Sequence, residues 1–82
     1  MEERVRQILA KHSGLGATVW TIPVTANLWS LGMTSLASVD VMLALEKAFA
    51  FEFPESELRH ATFSSVDAIV ECVEELTGSR PS

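Results

Sequence analysis

Several residue types that support common functions are scarce in this chain. Its 82 residues include two histidines and one cysteine, Cys72, which has no partner for an internal disulfide bond. A metal cluster of cysteine and histidine cannot be assembled from so few ligands. A single cysteine is also typical of proteins from a reducing compartment. We therefore expect a cytoplasmic protein without disulfide bonds or a bound metal.

Basic residues and long hydrophobic runs are scarce as well. Six lysines and arginines stand against eleven acids, which gives a net charge of −5. Such a surface repels the phosphates of nucleic acids and suits partners that carry basic patches. No run approaches the ~20 apolar residues that span a bilayer, and the first residues, MEERVRQ, lack the apolar core of a signal peptide. We expect no nucleic-acid partner and no membrane span.

Apolar side chains, by contrast, are abundant. They make up 48% of the residues, which is enough for one compact core. A chain of this length is near the lower limit for a domain that folds alone. We expect a single domain over residues 1–77 and a frayed tail over residues 78–82, because Gly78 stops the last helix. A monomer is expected.

The spacing of apolar residues predicts three long amphipathic helices. The first covers residues 2–12 and is followed by a glycine cap. The second is capped by Thr34 or Ser35 and ends near residue 49 or 50. The third follows Ser64, which forms a weak capping box with Asp67. The apolar stripes of the three helices are Val5, Ile8, Leu9 and His12; Val41, Met42, Leu45, Ala48 and Phe49; and Val66, Ile69, Val70, Val73 and Leu76.

A long loop and a short helix are predicted between the long helices. Residues 13–33 keep no helical period and contain Pro23, so we interpret them as an ordered loop, and loops of this length are often functional. Pro54 is expected to open one or two helical turns over residues 55–60, with Leu58 pointing inward. The predicted fold is all-α, a small four-helix bundle with three long helices and one short helix. The side chains expected to anchor the loop are Val19, Trp20, Ile22, Leu28 and Trp29.

The second helix carries apolar residues on two faces. Opposite its core face, Leu36, Val39 and Leu43 form a narrow stripe. The charged residues Asp40, Glu46 and Lys47 lie among them, which marks this side of the helix as solvent-facing. A domain this small is not expected to leave apolar area in water unless a partner docks there.

Ser35 stands at the start of this helix, and its position permits two interpretations. A hydroxyl there faces free backbone N–H groups, which would help to accommodate the charge of an attached phosphate. A serine at a helix start is more often a simple cap, however, and the local residues leave both functions open. A small hydrolase is the least supported alternative, because neither histidine has a nucleophile and an acid at motif spacing.

The sequence around Ser35 resembles the acyl carrier protein family. Residues 31–36, LGMTSL, are similar to the family pattern Leu-Gly-x-Asp-Ser-Leu, and an apolar and acidic helix then continues to Phe49. Other family-like motifs follow in the family's order, and together they cover residues 2–77. These motifs are Asn27-Leu28-Trp29 upstream and Phe53-Pro54 and Thr62-Phe63-Ser64-Ser65-Val66 downstream.

This resemblance implies a carrier of thioesters rather than an enzyme. Ser35 would receive 4′-phosphopantetheine from coenzyme A through a phosphopantetheinyl transferase, and the thiol of the arm would hold an acyl or aminoacyl group. The implied partners are this transferase, an acyl- or aminoacyl-loading ligase and downstream transferases. The resemblance assigns partner binding to Thr34, Leu36, Val39, Asp40, Leu43 and Glu46.

Two positions depart from the family pattern. Thr34 replaces the aspartate before the serine, and Ala37 replaces an acidic residue soon after it, while Lys47 adds a positive charge. The Thr-Ser pair, with MLALE and FEFPE, is more similar to specialised carriers, including those charged with amino acids by stand-alone ligases. Fatty-acyl and amino-acid cargo both remain open. So does an unmodified docking module that kept the fold and lost the arm, which Thr34 motivates.

Overall fold

Three α-helices carry the fold. The computed structural model describes residues 1–78, and these contain no β-strand. The predicted all-helical class is therefore confirmed, and the bounds of the first two helices agree with those expected. The helices are α1, Glu2–His12, α2, Ser35–Phe49, and α3, Val66–Thr77.

The two connecting segments differ from the prediction. The expected loop over residues 13–33 contains a 3₁₀-helix, Gly16–Trp20. The expected short helix is two separate 3₁₀ turns, Glu55–Glu57 and His60–Phe63, so the four-helix count is not confirmed within residues 1–78. Leu58 interrupts them with non-helical dihedral angles (φ −84°, ψ 64°). Short segments without a sustained amphipathic stripe commonly form such isolated turns, because longer 3₁₀ runs have poor hydrogen-bond geometry.

One hydrophobic core joins all three α-helices and both connecting segments. Three inward assignments were wrong, since His12 is exposed, Leu58 is 46% exposed and Trp20 is 47% exposed. Because a 3₁₀-helix turns by a third of a circle per residue, buried Val19 directs its neighbour Trp20 outward. The buried apolar residues are Val5, Leu9, Val19, Leu28, Met33, Val41, Leu45, Phe53, Phe63, Val66, Ile69, Cys72 and Val73.

The helix ends confirm two predicted caps and correct a third. Gly14 and Gly78 both have positive φ, as a left-handed cap requires. The cap of α3 is Ser65, whose Oγ accepts the Ala68 N–H at 3.0 Å, and not Ser64. The Ser64 hydroxyl instead donates to a carbonyl of the preceding 3₁₀ turn. Apart from Gly78, the predicted tail lies outside the described residues.

Backbone hydrogen bonds attach the segment before α2 to the start of α3. The Leu28 N–H donates to the Ser64 carbonyl at 2.7 Å, and the Asp67 N–H donates to the Val24 carbonyl at 3.0 Å. These bonds pair loop backbone groups with each other and with a first-turn N–H of α3, which has no partner within its own helix. They fix the position of residues 24–28, and they thereby also fix the position of the segment that leads to Ser35.

Candidate functional site

Ser35 is the first residue of α2, and its side chain is exposed. The helix is capped by Thr34, whose Oγ1 accepts the Ala37 N–H at 3.0 Å. Within residues 1–78 the Ser35 hydroxyl makes no hydrogen bond. The structure therefore distinguishes between a cap and a modification site at Ser35, because Thr34 caps the helix and the Ser35 hydroxyl stays exposed.

The turn before α2 explains why Ser35 faces outward. Met33 is buried, and its N–H donates to the Leu28 carbonyl at 3.1 Å, so the chain is fixed two residues before the serine. Gly32 has φ +114°, a conformation that other residues rarely adopt. A Cβ atom at Gly32 would lie 3.9 Å from Leu15, which is an ordinary contact, so the backbone angle and not the space requires glycine.

The N-terminus of α2 is electrostatically suited to a phosphate. Its first turn contains no acidic residue, so the positive end of the helix dipole is not offset locally. The nearby Ser38 hydroxyl donates to the Ser35 carbonyl at 2.6 Å and therefore does not block the Ser35 oxygen. A phosphodiester on Ser35 would lie beside the unpaired N–H groups of this first turn.

An open groove of about 390 Å³ begins at Ser35. We call it the Ser35 groove. Trp29 lies in its lining, stacked on His60 with ring centroids 4.1 Å apart, and its indole N–H donates to the His60 carbonyl at 3.0 Å. Trp29 is thus half-buried, and it also forms part of the groove's lining. The groove is lined by Trp29, Ser35, Ser38, Val39, Met42, Leu58, Arg59, His60 and Phe63.

Sequence reasoning missed the contribution of Arg59 and His60 to this groove. They lie more than 20 residues after Ser35, on and beside the last 3₁₀ turn. No spacing within one helix can indicate that they approach Ser35. Arg59 is exposed and pairs with Glu57 at 3.5 Å.

The second apolar stripe of α2 is exposed, as its spacing predicts. Leu36 is 80% exposed, Val39 46% and Leu43 53%. Asp40 lies among them and is also exposed. Glu46 differs from the other expected partner-facing residues, because it is half-buried and its Oε2 accepts the Phe53 N–H at 2.8 Å.

Cys72 lies on α3 and is not part of the lining of the Ser35 groove. Burial and then the Glu57 carboxylate, which accepts the thiol at 3.6 Å, raise the pKa of Cys72 from 9.0 to about 11. The thiol is therefore protonated and poorly nucleophilic near neutral pH.

Residues 1–78 contain no candidate metal site and no candidate membrane span. No three histidine, cysteine, aspartate or glutamate side chains come together there in a way that could hold a metal ion. No helix in this part of the chain is both long enough and apolar enough to cross a membrane.

Known proteins resemble the chain over nearly its whole length. The family model described as "Phosphopantetheine attachment site" matches residues 3–73. An aminoacyl carrier protein of Agrobacterium fabrum is 42% identical over 73 residues, which are 89% of this chain and 88% of that protein. The non-reducing polyketide synthase dbaI of Emericella nidulans is 33% identical over 73 residues, which are 89% of this chain but 3% of the synthase.

Solved structures show the same likeness. One is an engineered Bradyrhizobium japonicum glycine:[carrier protein] ligase complexed with a carrier protein from Agrobacterium tumefaciens and AMP. The match there has a TM-score of 0.86 and 42% identity, and covers 90% of this chain and 99% of the other. A solution structure of an Agrobacterium tumefaciens protein matches with a TM-score of 0.74 and 39% identity, over 96% of this chain and 95% of the other.

Proposed function

Since this chain belongs to the carrier family that is defined by a phosphopantetheine attachment site, we propose that Ser35 bears the phosphopantetheine arm. Members of the family carry substrates rather than transform them. The observation that supports Ser35 is the division of roles at the start of α2, where Thr34 caps the helix and the Ser35 hydroxyl stays exposed. A serine whose oxygen was needed for capping would be a poorer acceptor, because its modification would compete with the helix N-terminus.

The residues around Ser35 supply a matching environment for the arm. The N-terminus of α2 stabilises the phosphodiester charge by roughly 0.3–1 kcal/mol. Phosphopantetheine, when attached, supplies a thiol that holds an acyl group as a thioester. Val39, Met42 and Phe63 offer apolar surface along the Ser35 groove, while Arg59 and His60 place polar groups in its lining.

We propose an amino acid as the cargo, loaded by an ATP-dependent ligase. Support comes from the 42% identity to an aminoacyl carrier protein and from the likeness to a carrier protein solved with a glycine ligase. The Ser35 groove is open rather than enclosed, so it would bury little of a long alkyl chain, whereas a small amino acid needs no apolar pocket. Thr34 in place of aspartate does not argue for a lost arm, because threonine retains the cap.

The partners implied are a phosphopantetheinyl transferase, the loading ligase and a downstream transferase. We propose that they contact α2 through Leu36, Val39, Asp40 and Leu43, with Thr34 at the near end of the same surface. Glu46 is expected to act indirectly, since its carboxylate holds the backbone of the segment that follows α2. We place the protein in the cytoplasm, where its unpaired Cys72 stays reduced.

The attachment site is tested by intact-mass analysis after incubation with coenzyme A and a broad-specificity transferase. We expect one phosphopantetheine on the wild-type chain, none on Ser35→Ala and one on Ser38→Ala. Ser38 is a matched control because it lines the same groove one turn along the helix. Modification of Ser35→Ala would overturn the assignment. An unmodified wild-type chain that binds the ligase as well as Ser35→Ala does would favour the docking module.

The cargo is tested with the modified protein, ATP and a glycine:[carrier protein] ligase. We expect one thioester-linked glycine, released by hydroxylamine, and no product on Ser35→Ala. A parallel reaction with a fatty-acyl ligase and a long-chain fatty acid is expected to give little product. The reverse pattern would contradict amino-acid cargo while leaving the attachment site intact.

A further inference from the structure

A second groove lies on the other flank of α2, between this helix and α1, and it differs in charge from the rest of the molecule. Its volume is about 600 Å³. It contains three of the six lysines and arginines of the chain and one of its eleven acids. We call it the basic groove. Its lining comprises Arg4, Gln7, Ile8, Lys11, His12, Asp40, Leu43, Ala44, Lys47 and Ala48.

The arginine of this groove is held in place by its neighbours. Arg4 donates to the Ala48 carbonyl at 3.3 Å, and its guanidinium carbon lies 4.6 Å from the centre of the Phe49 ring. A guanidinium has five N–H donors, so one bond to Ala48 leaves others that can meet a carboxylate. Because the side chain is already oriented, less conformational entropy is lost when an acidic group binds.

The charges of the two lysines in this groove are exposed to solvent. Lys11 and Lys47 are exposed, and no carboxylate among residues 1–78 lies within 4.0 Å of either ammonium group. Asp40, the acid in the lining, therefore does not neutralise them by direct pairing. In a protein of net charge −5, such a concentration of free positive charge attracts a group of opposite sign.

The basic groove also offers apolar contact. Leu43 is 53% exposed and Ile8 is half-buried, so the groove can hold an aliphatic side chain as well as carboxylates. Leu43 belongs both to this groove and to the exposed stripe of α2. A partner that covers the stripe can therefore extend into the groove without a gap.

We propose that the basic groove is a docking site for an acidic, amphipathic segment of a partner protein. Carboxylates of this segment pair with Arg4, Lys11 and Lys47, and an apolar side chain rests on Leu43. Binding there leaves Ser35 free, because Ser35 and its groove lie on a different part of α2. The inference does not depend on the arm, so it stands apart from the assignment of Ser35.

The test uses a synthetic helix of about 15 residues with glutamates on one face and leucines on the other, a common form of docking segment. Titrated into isotopically labelled protein at low salt, it is expected to shift amide signals around the basic groove. A lysine-leucine helix of the same length is the control and should not shift them. Affinity should fall as salt rises, because the contacts are exposed charges.

Charge reversal distinguishes the groove from the general surface. Lys11→Glu and Lys47→Glu are each expected to weaken binding about tenfold. Arg59→Glu makes the same change of charge in the Ser35 groove and is expected to have little effect. Equal weakening by all three variants, or shifts that map elsewhere, would overturn the proposal. Shifts that appear without peptide as protein concentration rises would mean that a second copy occupies the groove.

Binding of the acidic helix to Ser35→Ala should equal that to the wild-type chain. This comparison separates the two proposals, because Ser35→Ala cannot carry the arm but retains the basic groove. Loss of peptide binding in Ser35→Ala would contradict an independent docking site, even if the attachment experiment succeeded.

Discussion

Two adjacent hydroxyl residues at the start of α2 have different roles. Thr34 has the extended backbone angles of an N-cap and accepts the Ala37 N–H, whereas Ser35 already belongs to the helix. Aspartate and threonine can both cap a helix, so the departure of Thr34 from the family pattern removes a charge and keeps the hydrogen bond.

Different substitutions of Thr34 should therefore change the free energy of unfolding in opposite directions. Thr34→Ala is expected to lower the free energy of unfolding by about 1 kcal/mol because the cap is lost. Thr34→Asp should retain the cap and gain roughly 0.3–1 kcal/mol from the helix dipole. Urea unfolding followed by circular dichroism measures both. Ser35→Ala is the control and should change stability by less than about 0.5 kcal/mol. Equal losses for Ser35→Ala and Thr34→Ala would contradict the assignment of the cap to Thr34 alone.

Cys72 provides a contrast with the thiol of the proposed arm. Its pKa is raised to about 11 by burial and by the Glu57 carboxylate. The folded state thus holds the proton more tightly than the unfolded state does. The resulting contribution to stability is present below pH 9 and is lost as the pH rises through about 11.

Alkylation should therefore distinguish the two thiols. At about pH 8, near the ordinary range of thiol pKa values, iodoacetamide is expected to label the modified protein once and the unmodified protein hardly at all. Labelling of Cys72 should increase as the pH approaches 11. Glu57→Gln should increase it moderately, since burial is the larger cause of the shift. Mass spectrometry measures the extent of labelling. Rapid labelling of the folded, unmodified protein at pH 8 would contradict this account.

At the scale of elements, α2 differs from α1 and α3 because it presents apolar residues to two environments. Val41 and Leu45 are fully buried, while Leu36, Val39 and Leu43 are exposed. The buried face joins the helix to the core. The exposed face contributes little to folding, because its side chains remain in water in the folded state. Stability and partner binding can thus be altered separately on one helix.

Two leucines of α2 should show this separation. Leu45→Ala is expected to lower the free energy of unfolding by about 2–5 kcal/mol, as is usual for a buried leucine. Leu36→Ala should change it by less than about 0.5 kcal/mol. In the ligase assay, Leu36→Ala should instead raise the KM for the carrier several-fold. A large stability loss in Leu36→Ala, or an unchanged KM, would contradict the proposed partner surface.

At the scale of the whole molecule, one arginine joins α1 to the segment that precedes α2. Arg6 donates from one guanidinium nitrogen to the Val19 carbonyl at 2.6 Å and the Ile22 carbonyl at 2.7 Å. Its Nε donates to Glu2 at 3.0 Å, and its side chain is 11% exposed. These bonds fix a segment with little regular structure of its own, and they complement its backbone bonds to α3.

Removal of this arginine should destabilise the entire fold. Arg6→Met keeps the aliphatic length but leaves two carbonyls without their charged donor, at an expected cost of about 3 kcal/mol. Glu2→Gln weakens only the exposed ion pair and should cost less than about 0.5 kcal/mol. Thermal and urea unfolding of the two variants test this difference. Similar stabilities for both would show that the carbonyl contacts contribute little.

The long helices were predictable because their signals are local. Apolar spacing placed the bounds of α1 and α2, and the capping glycines after α1 and α3 were identified from residue type and position. The exposed stripe of α2 was also predictable, since charged neighbours marked that face as solvated. The motif around Ser35 identified the family, and the matching of residues 3–73 confirms it.

The connecting segments were less predictable, because their conformation depends on contacts with distant parts of the chain. Leu58 was expected to be buried and Trp20 to act as an anchor, yet both are exposed. The direction of each depends on how a 3₁₀ turn is placed against the core, and no repeating pattern within such a short turn specifies that. Ser64 and Ser65 illustrate the same limit, because both are serines and residue type alone does not tell which one caps α3.

The sequence by itself determined the acidic composition, the positions of the long helices and the serine motif. Composition can be read directly from the chain, and the helices and the motif depend on residues that are close together in it. Tertiary structure decided that Arg59 and His60, which follow Ser35 by more than 20 residues, line the Ser35 groove. It also brought Arg4 and Lys11 beside Lys47. These outcomes depend on packing between residues far apart in the chain, and a groove between elements exists only once they have packed.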